Sequence, residues 1–201
     1  MFTRGRITEP MKFSFSTVSI NELERQIKSF DPDASFRHDA YSAIAVAEAV
    51  RAAKEGNIGV GGCVVTAGEP IIRDRNRQLV PHFRGDLHAE MVIVNQLEDR
   101  LRHESSPDMR IYTFFSSQEP CPMCMLRLIT SGVGKICYVY RDVGSPDQGD
   151  VKSIDRLPPV WRELAQRQEI FEAECSPELK EMARQAFLLS APEAAEKIRN
   201  R

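Results

Sequence analysis

The 201-residue sequence has no apolar run approaching the length of a bilayer, which excludes a helical membrane span. It has no surplus of basic charge either, because 27 Lys and Arg stand against 29 Asp and Glu. Dedicated binders of large nucleic acids draw their affinity from phosphate contacts. The charge balance therefore leans toward small substrates, while leaving a local basic patch open. The stretch from Met1 to Lys12 carries Arg4, Arg6 and Glu9 and lacks an apolar segment. It does not read as a secretory signal, and a cytoplasmic protein is expected. Cysteine is scarce and odd in number, five in all, which argues against a disulfide framework. Cys63 and Cys137 lie inside apolar runs and read as small buried strand residues. Cys175 has no partner pattern.

What is present is an ordinary globular composition, 42% hydrophobic and 28% charged, long enough for one domain with a full core. Residues 1–36 read as an N-terminal extension with one amphipathic helix, Ile20 to Phe30, for which Asn21 is a cap candidate. His38 to Glu55 has apolar residues at helical spacing and ends at Gly56-Asn57. Val60 to Val65 and Pro70 to Arg75 flank a turn and read as a hairpin. Helices follow over His88 to Arg102 and Cys121 to Ser131, with strands over Ile111 to Ser116 and Lys135 to Tyr140. Arg141 to Pro159 is a long loop, and loops of that length are usually functional or disordered. Val160 to Arg167 and Pro177 to Leu189 read as helices around a strand at Glu169 to Ala173. This alternation predicts an α/β fold, a three-layer α-β-α sandwich with a central mixed sheet. The divisions expected are an extension over 1–36, a main domain over 37–190 and a charged tail over 191–201.

Two short motifs carry the chemistry: His88-Ala89-Glu90 and Pro120-Cys121-Pro122-Met123-Cys124. Together they give the order H-x-E…P-C-x-x-C. Imidazole and thiolate are good zinc donors, and three protein ligands leave a fourth position for water. His88, Cys121 and Cys124 are thus the expected ligands of one Zn2+ per chain. Cys121 and Cys124 are i and i+3 and share a helix face. At a helix start the free N–H groups and the positive dipole end favour thiolates. Pro120 suits the entry to that helix, and His88 opens another, so two helix starts can converge on one ion. Glu90 is not needed as a ligand and is free to move protons between water, a ring nitrogen and a leaving amine. That is the requirement for hydrolytic removal of an amino group from a nucleobase ring. A lone C-x-x-C would equally suit a structural zinc site or a redox pair. A closed structural site needs a fourth ligand, for which only the strand cysteines Cys63 and Cys137 are candidates.

The segment from Phe36 to Tyr140 resembles the cytidine-deaminase-like superfamily, in the branch of bacterial guanine deaminases and tRNA adenosine deaminases. The residues that carry the resemblance are Gly56-Asn57, Gly61-Gly62, Asn76-Arg77, His88-Ala89-Glu90, Glu119 to Cys124 and Ser131-Gly132-Val133. The resemblance implies that Asn76 hydrogen-bonds the substrate, and that the backbone at Ala89 touches the amide edge of the base. It also implies an acidic loop residue that reads a purine, for which Asp147 and Asp150 are candidates, although each alone also fits a solvated loop acid. The segment from Trp161 to Leu189 resembles the tail of guanine-deaminase-type proteins, which closes over an active site, often the partner subunit's. Trp161 and Phe187 read as packing residues. A homodimer is implied.

The activity expected is zinc-dependent hydrolytic deamination of a nucleobase or nucleoside, first of all a free purine such as guanine. The alternatives are a tRNA adenosine deaminase, a cytosine or pyrimidine deaminase, and a non-catalytic zinc-stabilised interaction domain.

Overall fold

The structure is a computed structural model that describes residues 18–141 and 151–200. Its first helix, α1 (Ile20–Ser29), is capped by the Ser19 hydroxyl, which accepts from the Glu22 N–H at 3.2 Å. Asn21, the cap expected from sequence, lies one residue inside the helix. Helix α2 (Asp39–Lys54) leads into strand β1 (Gly61–Thr66), which turns back as β2 (Glu69–Arg75). Next come α3 (Ala89–Leu101), β3 (Thr113–Gln118), α4 (Pro122–Ser131) and β4 (Lys135–Tyr140). The described chain ends with α5 (Pro159–Ala165), β5 (Glu169–Glu172) and α6 (Pro177–Arg199).

The strands form one sheet in the order β2-β1-β3-β4-β5. β1 is antiparallel to both β2 and β3, whereas β4 runs parallel to β3 and to β5. Residue alternation sends successive side chains to opposite faces. Cys63, Val65, Phe115, Cys137 and Val139 pack under α1, α2 and α6. Val64, Phe114 and Ile136 pack against α3, α4 and α5. Helices thus cover both faces of a mixed sheet, the α-β-α sandwich expected. On α3 the buried stripe is Val92, Ile93, Val94, Leu97 and Leu101.

Further details add to the sequence expectation. Leu23 of α1 is fully buried in the core beneath α2 and α6, so this part of the first 36 residues contributes to the main core. Helix α6 continues ten residues beyond Leu189 and passes through Pro192. Proline removes one helical hydrogen bond, yet buried Ala194 and the Lys197–Glu193 ion pair (2.7 Å) hold the last turns. Trp161 is a packing residue as expected, but Phe187 is not purely core. No helix among the described residues is long and apolar enough to cross a membrane.

Candidate metal centre

The parallel register of β3 and β4 aligns the carboxyl ends of both strands, and β3 ends at Gln118, just before Glu119-Pro120-Cys121. Cys121 is the N-cap residue of α4, with Pro122 at the first helical position. Proline is favoured there because its missing N–H would find no helical partner. His88 is likewise the N-cap residue of α3. The two helix starts therefore meet at the end of the sheet, and their positive dipole ends face the same spot.

The His88 Nδ1 lies 3.6 Å from Cys124 Sγ and 3.9 Å from Cys121 Sγ. Ligand atoms of all three residues fall within 4.8 Å of one another. For a tetrahedral zinc with ordinary Zn–N and Zn–S bonds, the N···S edge is about 3.6 Å. The donor set and its spacing fit that ion. A hydrogen bond from Cys124 is the main force that lowers the Cys121 thiol to about 4, with further help from His88. Cys124 is raised, because it holds the shared proton beside that thiolate and is buried. A dication in this position takes the place of the shared proton and keeps both sulfurs as thiolates. Cys63 and Cys137 lie inside the sheet, and burial pushes the Cys63 thiol up to about 12. Among the described residues neither joins the metal-ligating cluster.

Glu90 is only 4% exposed and opens the first turn of α3. Burial holds its carboxyl above the ordinary carboxylate range. It lines a cavity of about 150 Å³ together with His88, Cys121, Asn76, Gln118 and Phe187. Drug-sized ligand sites occupy roughly 300–1,000 Å³, so this one suits a single small ring system.

Asn76, 2% exposed, reaches the cavity wall. Its N–H donates to the Val60 carbonyl at 2.9 Å, and its Oδ1 accepts from the Gln78 N–H at 2.9 Å. Asn57 pins the following loop by accepting from the Leu79 and Val80 N–H groups at 2.8 and 3.0 Å. Arg77 is an ion-pair partner of Asp74 at 2.7 Å. Ala89 begins α3 between the imidazole and the carboxylate, with its side chain buried. Asp147 and Asp150 lie outside the described residues.

The remaining wall residues are Ile58, Val60 and Glu119. Glu119 is also a strut, accepting from the Ser153 N–H at 2.7 Å and so anchoring the chain at Ser153. Sequence reasoning assigned no site role to Gln118 or Phe187. Gln118 left only its place at the end of a strand just before the cysteine motif. Phe187 left no signal, since only the packing of α6 brings it to the cavity.

A centre of one imidazole and two thiols at two converging helix starts, with a buried carboxylate beside it, defines a zinc-binding hydrolase-type site on an α-β-α scaffold. Residues 36–140 match the model of the cytidine and deoxycytidylate deaminase zinc-binding region, and the chain belongs to that family. A tRNA-specific adenosine deaminase of Bacillus subtilis (strain 168) is 30% identical over 103 residues, covering 50% of this chain and 60% of the relative. The match thus spans about three fifths of that relative's length. Among solved structures, a tRNA:A34 deaminase that carries out A-to-I editing superposes with a TM-score of 0.57 at 18% identity, covering 73% of this chain and 98% of that one. The guanine deaminase of Nitrosomonas europaea gives a TM-score of 0.57 at 16% identity, covering 92% of this chain and 100% of that one. These structural likenesses confirm the fold.

Proposed function

We propose that this protein is a zinc-dependent hydrolytic deaminase of a nucleobase or nucleoside, with a free purine such as guanine as the preferred substrate class. The observation that carries this reading is the buried Glu90 carboxylate beside a three-donor metal centre in a cavity sized for one ring system. Zinc held by His88, Cys121 and Cys124 supplies Lewis-acid activation of a water nucleophile near neutral pH. Glu90 takes a proton from the attacking water and delivers it to the ring nitrogen next to the amino-bearing carbon. It then takes the proton of the newly attached hydroxyl and passes it to the departing amine, which leaves as ammonia while the ring keeps a carbonyl. Its raised carboxyl suits a group that both accepts and donates protons. Asn76 donates a hydrogen bond to the ring, and the Ala89 backbone contacts its amide edge. Asp147 and Asp150 remain candidates for reading the purine from the long loop. Residues 37–190 form the catalytic unit with 1–36 and 191–201 as flanking segments, and the active species is a cytoplasmic homodimer.

Three facts favour a base over a polynucleotide. The chain has no basic excess, and Phe187 of its own α6 closes one side of the cavity. The guanine deaminase fold also covers more of this chain than the tRNA deaminase fold does, 92% against 73%. The second reading, adenosine deamination in tRNA, draws its support from the 30% identical tRNA-specific relative.

The test is ammonia release by zinc-loaded protein from guanine, adenine, cytosine, their nucleosides and tRNA. Release from a free base is expected, whereas release confined to tRNA selects the second reading. Glu90→Ala is expected to lower turnover by about 10²- to 10⁴-fold with zinc content unchanged by elemental analysis. Loss of zinc together with Glu90 would show that the carboxylate is a ligand instead.

A further inference from the structure

Gln118 is the last residue of β3, and its backbone pairs with Tyr140 of β4. The next N–H, that of Glu119, donates to the Tyr140 carbonyl at 2.7 Å. The main chain is therefore fixed at this point. The side chain lines the cavity beside Asn76, His88 and Glu90 and is only 7% exposed. Its Oε1 is enclosed and has no hydrogen-bond partner. No hydrogen bond of its Nε2 occurs among the described residues either. A carboxamide held in this way costs stability, since a buried polar group without a partner keeps its full desolvation penalty. A half-turn about its last torsion exchanges oxygen and nitrogen at little cost. The group can therefore present a donor or an acceptor to a ligand.

Asn76 provides the contrast on the same wall. Its oxygen accepts from the Gln78 N–H at 2.9 Å, and that bond holds the amide in one orientation. The cavity thus holds one amide of fixed polarity and one that is uncommitted.

We propose that Gln118 is a specificity-determining residue that reads a ring edge carrying an N–H next to a hydrogen-bond acceptor. The inference rests on the reading of the site as a nucleobase deaminase and deepens it by naming the ring edge that the site reads. A free base offers such edges as a lactam, or as a ring N–H beside a ring nitrogen. A sugar on the ring nitrogen removes the donor from the second kind of edge. The apolar wall of Ile58, Val60 and Phe187 makes no competing hydrogen bond. The substrate's own N–H and acceptor are therefore what complete the Gln118 amide.

The experiment measures calorimetric binding of guanine, cytosine and 8-azaguanine to the zinc-loaded full chain, for wild type and Gln118→Met. Methionine keeps the length of the side chain and removes its polar atoms. For the base that wild type binds best, affinity is expected to fall by roughly tenfold to a hundredfold. Zinc content stays the same, and the melting temperature holds or rises, because an unpartnered buried amide has been removed. A merely structural glutamine would show the opposite pattern, a lower melting temperature with binding unchanged. Affinity within about twofold of wild type overturns the proposal, as the substrate N–H would then have lost no partner. If Gln118→Met does not fold, Gln118→Glu takes its place, keeping the size while losing both donor hydrogens. Weakened binding then supports the proposal and unchanged binding overturns it. Wild-type protein that binds a base but releases no ammonia overturns the deamination reading alone. Wild-type protein that binds none of the three bases overturns this proposal.

Discussion

At the scale of single residues, His38 shows how one imidazole joins distant parts of the chain. The backbone N–H of His38 donates to the Glu174 carbonyl at 3.0 Å, and the ring Nδ1 accepts from the Glu174 N–H at 3.0 Å. The ring also packs against Phe115 and Phe171. Burial lowers its pKa below the ordinary 6.5, helped by the Arg37 charge and Lys135 and opposed by Glu174. A base whose folded pKa is lowered stabilises fully above its unfolded value, and that contribution fades as pH falls toward the folded one. The melting temperature is therefore expected to drop more steeply from about pH 7.5 to about pH 5.5 in wild type than in His38→Gln. Parallel curves for the two proteins would remove His38 from the account. The candidate metal cluster and the buried Glu90 that shares its cavity were legible in the sequence at this scale, because their identities and spacing are local. The clasp made by His38 was not, because its partner is 136 residues away.

At the scale of elements, the placement of α6 decides what the cavity becomes. The start of α6 is tied to the start of α2, since the Asp39 carboxylate accepts from the Ser176 N–H at 2.6 Å. Further along, the helix backbone runs against Gly59. A Cβ built at Gly59 would stand 2.1 Å from the Ala186 carbonyl oxygen, so only glycine admits this approach. The Gly59 N–H also donates to the Ser190 hydroxyl at 2.7 Å. Phe187, one residue past Ala186, is thereby brought to the cavity. Gly59→Ala is expected to destabilise the fold by about 1–3 kcal/mol and to weaken base binding, as the helix must move away. Urea denaturation and calorimetry check both effects, and an unchanged denaturation midpoint would contradict the close approach. Helix α4 is the opposite case, with both ends written in the sequence. Pro122, rather than the Pro120 expected at its entry, starts it, and Gly132 stops it at a positive φ of 78° that favours glycine.

At the scale of the whole molecule, the sheet divides two cores, one under α1, α2 and α6 and the other under α3, α4 and α5. Leu23 binds α1 into the first of these. Leu23→Ala is expected to cost about 2–5 kcal/mol in chemical denaturation, as other buried leucines do. A change near zero would mean that α1 is an appendage. The sequence by itself determined the element order, the sandwich class and the three residues of the candidate zinc cluster. These follow from hydrophobic period, from capping and glycine signals, and from donor chemistry at short spacing. Only the tertiary structure decided which polar groups stand unpartnered on the cavity wall and which helix closes it. Those properties depend on contacts between residues far apart in the chain, such as Gly59 with Ala186, and local patterns carry no record of them.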